Sequence, residues 1–333
     1  MQSTPAISVV LPYFNAEKTL ERAIRSVLNQ TFSEFELILV DNNSTDGSTK
    51  IAAGFAQKDL RVILMKEKRQ GVAYASNHGS AWARAPLIAR MDADDEMLPQ
   101  RLEKQGKHLD THLAIGLVGG QVVYQGEASN LGFRHYVDWS NGLTGPGAIF
   151  DNRFVELPVV NPTIMFRKRL FEQYGGYADG DFPEDYEMIL RWMSQGIKMD
   201  KLAEPVLKWH DQPDRLTRTD PRYSETAFFR TKAKFLAQWL RSAKIRKEIW
   251  IWGAGKLSRR RSQYLQDHGL SISGYIDVKP RQIPLACIDY REIPDLGKIF
   301  ILSYVANRGK REEVREFLLQ KGYLEGIDFL LMA

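Results

Sequence analysis

Between residues 7 and 91 the chain repeats one pattern: a short apolar run, a polar turn, then a stretch of helical periodicity. Ile7–Leu11 (closed by Pro12), Phe35–Val40, Val62–Met65 and Leu87–Met91 read as buried strands. Between the first two, Leu20, Ala23, Ile24, Val27 and Leu28 form the apolar stripe of an amphipathic helix over Glu17–Gln30. Asn15 is its expected N-cap. Further helices are expected over about Ser48–Gln57 and Val72–Ala83. This alternation predicts an α/β fold, a mainly parallel sheet covered by helices on both faces. Ligands of such sheets bind beyond the carboxyl ends of the strands. Pro12–Asn15, Asp41–Asn43 and Asp92–Asp95 all fall there.

The densest of these clusters is Asp92-Ala-Asp94-Asp95, which follows a buried run and has no evident Lys or Arg to neutralise it. Like charges so close repel, so a cation is expected among them. Oxygen ligands favour a hard divalent ion, Mg²⁺ or Mn²⁺. The alternative is an acidic cap on the helix beginning near Pro99.

Beyond His108 the alternation stops. Ile115–Tyr124 and Pro162–Phe166 read as strands, Gly126–Pro158 as a long irregular stretch, and Pro183-Glu184-Asp185 as the start of a helix reaching about Gln195. A second α/β unit is expected from Glu248, with strands at Ile249–Trp252, Ile272–Asp277 and Ile299–Val305 and helices at Lys256–His268 and Lys310–Gly322. Its Gly253-Ala-Gly255 turn has Ser258 where a dinucleotide fingerprint has a third glycine, so a small Rossmann-like interaction or acceptor module is expected, without NAD. This module could also mediate a homo-oligomer.

Composition narrows the classes. A single cysteine, Cys287, excludes an internal disulfide and a multi-cysteine metal site. No signal-like leader and no run of 18 apolar residues is present, so a cytoplasmic protein is expected, at most peripheral on the inner face of the membrane. Of the net charge of +5, Arg222–Arg261 alone holds +10, from twelve Lys or Arg against two Glu. That segment suggests a polyanionic partner, tRNA or an anionic membrane surface, or else a solvated helix face.

VVLPYFNAEKTLERAIRSVLNQTF, LILVDNNSTDGS, GVAYASN, ARMDADDEMLPQRL and PEDYEMILRW, in that order, resemble family-2 glycosyltransferases of the GT-A fold. The resemblance covers about the first 220 residues. It implies a catalytic domain over 1–220, followed by a basic helical linker at 221–247 and the small Rossmann-like domain at 248–333. It also implies metal-dependent transfer, with inversion, from a nucleotide-diphosphate sugar (a UDP-sugar) to an acceptor hydroxyl, in bacterial glycan synthesis. By resemblance Asp94 contacts the metal, Asp92 the ribose or the ion, and Asp95 supports them. Asp41 would bind the nucleobase edge, and Pro12, Phe14, Asn15 and Asn43 would line its pocket, with Glu17 nearby or simply starting the helix.

Asp185 matches the general base and Glu184 an acceptor-orienting acid; two acids in a first helical turn also suit the helix dipole. His210 would complete the metal shell or contact the diphosphate, over which Arg215 and Arg218 could close. The chain departs from the family at Asn42, where a second acid is usual, and at Ser76, where an arginine is usual; Lys68 or Arg69 would then supply the missing cation. The two-part organisation resembles a subgroup that includes enzymes glycosylating the queuosine base of tRNA, an alternative acceptor. A non-catalytic nucleotide-sugar sensor is the alternative outside enzymes.

Overall fold

The computed structural model describes residues 4–127, 130–212 and 215–333. The chain forms two compact units. The first holds residues up to 149, 159–180 and 184–219; the second holds 150–158, 181–183 and 220–333.

The first unit is built on an eight-stranded sheet: β1 Ile7–Tyr13, β2 Phe35–Asp41, β3 Val62–Lys66, β4 Leu87–Arg90, β5 Glu96–Met97, β6 Ile115–Gln125, β7 Met165–Arg167 and β8 Lys198–His210. Their order is β3-β2-β1-β4-β7-β6-β8-β5. β1 to β4 pair in parallel as the alternation requires, and β7 enters antiparallel between β4 and β6. Tyr13 pairs with Asp41 at the carboxyl edge, so the loops after β1 and β2 leave the sheet side by side.

The helix Leu20–Leu28 buries Leu20, Ala23, Ile24 and Val27 against this sheet. Truncating Ile24 to alanine there would cost about 2–5 kcal/mol. On the helix Val72–Trp82, Gly79 approaches so closely that a Cβ would lie 2.6 Å from a Val10 methyl. A larger residue would push the helix off the strands.

Three expectations need correction. Asn15 does not cap the first helix, whose N-cap position is Thr19; its backbone is left-handed (φ 47°) and its side chain turns to the loop after β2. Gly126–Pro158 is not irregular throughout, since Leu131–Gly142 and Pro146–Asp151 are helical. The first of these packs Val137 and Ser140 inward despite its polar, glycine-containing sequence. Pro162 lies in a short 3-10 turn, and only Met165–Arg167 forms a strand.

The second unit holds an all-parallel sheet of β9 Glu248–Trp252, β10 Ile272–Asp277, β11 Ala286–Asp289, β12 Ile299–Ser303 and β13 Phe329–Leu331, in the order β11-β10-β9-β12-β13. The helix Glu225–Ser242, read from sequence as linker, belongs to this unit and buries Phe229, Phe235, Leu236 and Leu240. Many cations of Arg222–Arg261 have partners within the unit. Arg222 pairs with Asp220, Lys247 with Asp328, and Arg260 and Arg261 share Glu225. Lys232 is buried, donating to the carbonyls of Val155 and Met332. The basic segment is therefore not one exposed polycationic face. Among the described residues no helix is long and apolar enough to cross a membrane.

Candidate active site

Asp92, Asp94 and Asp95 sit on the loop leaving β4, each offering a carboxylate oxygen within 4.8 Å of the others. Asp95 is fully buried: one oxygen accepts the His210 amide at 2.9 Å and the other has no hydrogen-bond partner among the described residues. Burial, then the Asp94 charge, pushes its pKa well above the carboxylate range, and Arg215 opposes this. Burial also raises Asp94, against Arg215 and with Asp92. The Arg22 guanidinium fixes the loop by donating to the Asp94 carbonyl at 2.6 Å.

The cluster is not without cations, contrary to the expectation from sequence. Arg90 Nη2 lies 2.6 Å from Asp92 Oδ1. Arg215 donates to the His210 carbonyl at 2.7 Å and stacks 4.5 Å from the Trp209 ring. Burial works against the Arg215 charge, yet Asp94, Asp95 and Asp92 hold its pKa above the ordinary value. Arg90 escaped notice because it stands inside an apolar run, where only its charge was anomalous.

His210 closes β8, paired in register with Gln125. Its Nε2 is buried and has no hydrogen-bond partner among the described residues; burial, then Arg22, lowers its pKa, favouring the neutral imidazole that metals bind. The clustered acids, with an orphaned Asp95 oxygen, fit a divalent cation, whereas the His210 ring nitrogen is not among the groups that lie within 4.8 Å of one another.

Glu184 and Asp185 begin the helix Glu184–Ser194. Arg90 is the charge that joins them to the acidic loop. Burial opposes its protonation, but Asp92, Tyr177 and Glu184 keep its pKa raised. Asp185 is pushed up to about 7 by burial and by Glu184, with Asp92 adding to the effect. The Tyr177 hydroxyl donates to Asn161 at 2.9 Å. The turn bearing Tyr177 is held by Asn77, which donates to the Tyr177 carbonyl at 2.7 Å and accepts its amide at 2.9 Å. Arg191 donates to the carbonyls of Tyr174, Gly175 and Gly176 in the same turn. Arg101, also missed from sequence, is buried and ties the Arg90 carbonyl (2.8 Å) to that of Pro162 (2.7 Å).

At the ends of β1 and β2, Asp41 accepts the Ser44 amide at 2.9 Å with one oxygen; the other is 3.4 Å from Thr49 Oγ1. Asn15 accepts the Thr45 amide at 2.8 Å, and Glu17 accepts the Gly47 amide at 2.7 Å. Pro12 is buried in β1, whereas Phe14 is 50% exposed. Asn43, at φ 67°, donates to the Lys68 carbonyl at 2.9 Å. Asn42 donates to the carbonyls of Glu67 (3.1 Å) and Arg69 (2.7 Å) and accepts the Gly71 amide at 2.8 Å. The departure at this position thus has a structural reason, since an aspartate could not donate to two carbonyls.

Arg69 lies over the Tyr74 ring at 4.5 Å and pairs with Glu67 at 3.3 Å. Arg218, expected to close over the diphosphate, pairs with Asp211 at 2.8 Å and covers Phe133 at 4.6 Å. Of Arg218 and Arg215, the latter is the one whose charge Asp94, Asp95 and Asp92 stabilise.

Comparison with known proteins identifies the family and the fold. The family model described as Glycosyl transferase family 2 matches residues 8–175. The glycosyltransferase EpsE of Bacillus subtilis is 31% identical over 229 residues, 67% of this chain and 80% of that protein. The O-antigen biosynthesis glycosyltransferase WbnJ of Escherichia coli is 29% identical over 72% of this chain and 91% of its own length. Among solved structures, S. aureus TarS 1-349 in complex with UDP-GlcNAc superposes with a TM-score of 0.54 at 16% identity, covering 79% of this chain and 71% of that one. The mannosyltransferase PcManGT from Pyrobaculum calidifontis, in complex with GDP-Man and Mn²⁺, gives 0.50 at 16% identity, over 80% and 74%. With its mixed sheet, its strand-end acids and these relatives, the chain belongs to glycosyl transferase family 2 and is a glycosyltransferase of the GT-A fold.

Proposed function

We propose that this glycosyltransferase moves a sugar from a UDP-sugar to a saccharide hydroxyl with inversion, and that Asp185 is its general base. The observation that carries the reading is the electrostatic continuity from Asp92 through Arg90 to Glu184 and Asp185, with Asp185 near pKa 7. A base poised there can take a hydroxyl proton at neutral pH and is still strong enough to aid attack.

In this reading the acceptor oxygen bonds to the anomeric carbon while the bond to the diphosphate oxygen breaks. The hydroxyl proton passes to Asp185, and the electron pair leaves with the nucleoside diphosphate. Glu184 orients the acceptor. Asp94, Asp92 and His210 would hold a divalent cation, Mn²⁺ or Mg²⁺, which when bound neutralises charge on the leaving diphosphate. Arg215, whose charge the same acids stabilise, adds a fixed positive charge there. Asp41 accepts the imide N–H of the base, between Pro12, Phe14, Asn15 and Asn43, while Glu17 and Asn42 hold the surrounding loops.

The saccharide acceptor is favoured by relatives named for O-antigen and amylovoran biosynthesis, in Escherichia coli and Erwinia amylovora. A tRNA acceptor is less favoured, because much of the basic segment is engaged internally. The test is turnover of a UDP-, GDP- and ADP-sugar panel with and without Mn²⁺, followed by Asp185→Asn with the preferred donor. The expected result is metal-dependent use of a UDP-sugar, and an Asp185→Asn variant that binds donor but scarcely transfers. Equal rates after chelation, or wild-type transfer by the variant, would refute it.

A further inference from the structure

The second unit has a cavity that the reaction does not use. Its strands β9 and β10 are joined through the helix Lys256–Gln263, but β10 reaches β11 through residues 278–285 with no helix at all. Both connections link parallel neighbours in the same direction, so right-handed crossover places them on one face of the sheet. Where a second crossover helix would lie, a cavity of about 630 Å³ opens between the first helix and the 283–285 strip. That is the size of a small-molecule site.

Its lining is divided. Lys256, Arg259 and Arg260 stand along the helix, and no carboxylate lines the cavity. The Nε of Arg259 is buried and has no hydrogen-bond partner among the described residues. Opposite lie Ile283, Pro284 and Leu285; Leu257 and Leu285 remain 43% and 38% exposed beside the cations. A helix face that merely solvates charge has no reason to set a cavity with an apolar wall beside it.

We propose that this cavity is a second ligand site, for an organic phosphate: the phosphate on Lys256 and Arg259, the carbon body against Leu257 and the Ile283–Leu285 strip. The shared chemistry is a phosphate ester with an apolar body, from a nucleotide or from a lipid phosphate. This site is independent of the donor site and of the reading given above for it.

The experiment uses the full chain in chelator, with hydrogen exchange and calorimetry against UMP, octyl phosphate and inorganic phosphate. Protection of residues 256–266 and 279–286 by UMP identifies a nucleotide ligand, and by octyl phosphate a lipid phosphate; either supports the site. Lys256→Gln with Arg259→Gln should weaken that binding about tenfold or more, because two charge-assisted contacts are lost. Glycosyl transfer and the unfolding midpoint should stay near wild type, which shows that the double variant is folded. The proposal is overturned if neither ester protects these segments at millimolar concentration. It is equally overturned if the double variant binds as well as wild type, or if inorganic phosphate binds as tightly as both esters.

Discussion

Each unit contains a parallel strand, β1 or β9, followed by a turn at its carboxyl end and then a helix. They treat the polar groups of that region differently. In the second unit the Gly253-Ala254-Gly255 turn is satisfied from within, since the Ala254 amide donates to Asp277 at 2.8 Å and the Lys279 amide to the same carboxylate at 3.1 Å. In the first unit the strand ends carry raised carboxyl pKa values at Asp94 and Asp95, and a buried Asp95 oxygen and a buried His210 nitrogen have no hydrogen-bond partner among the described residues. A turn that satisfies itself contributes stability. One that leaves groups unsatisfied keeps them for a ligand, at a cost in folding free energy.

The sharpest break in that comparison is Asp185→Asn. Transfer should fall by about 10²–10⁴ with donor affinity preserved, measured by initial rates and calorimetry. The same variant should be more stable at neutral pH. A carboxyl with a raised folded pKa costs nothing below its unfolded value near 3.8, and the cost grows until the pH passes about 7. A thermal melt at pH 5 and pH 8 should therefore show the larger gain at pH 8. In the wild type, kcat/KM should decline as pH falls below about 7, and Glu184→Gln should move that limb to lower pH by removing a charge that raises Asp185.

Next is Arg90→Met, which leaves the Asp92 and Glu184 charges without their buried partner. A loss of about 3–5 kcal/mol in urea unfolding is expected. If the variant is as stable as wild type, Arg90 is not the link between the acidic loop and the Glu184–Asp185 pair. Asn42→Asp should cost less, about 1–3 kcal/mol, because a carboxylate would face the Glu67 and Arg69 carbonyls without a proton to offer. Its donor KM should rise as the 67–71 loop loosens. The smallest effect belongs to the self-satisfied turn: Asp277→Ala should lower stability by about 1 kcal/mol and leave transfer unchanged. A large loss of transfer would show that the second unit is not indifferent to the reaction.

The parallel pairing of the first four strands was legible because apolar runs and helical stripes alternate without interruption; their order in the sheet was not read from sequence. The counter-charges were less legible. Arg90 and Arg101 are single charged residues in segments read for apolarity and helix start, and part of what they meet, Glu184 for Arg90 and the Pro162 carbonyl for Arg101, lies far along the chain. Asn15 looked like a cap because its residue type suits one; its left-handed backbone and bond to Thr45 depend on a loop some thirty residues later. Arg215 and Arg218 were indistinguishable in sequence, and only Asp211 separates their fates. The helix Leu131–Gly142 was hidden by the glycine and asparagine around it, whereas its burial is set by β6, to which Asn141 bonds through Val122.

Residues 150–158 lie in the middle of the catalytic sequence yet pack in the second unit, where Val155 receives Lys232 and Asn152 receives Arg315 at 2.9 Å. Lys232 and Arg315 both come after residue 220. A gene severed there would not release a tidy catalytic half; it would leave those nine residues without the partners they fold against.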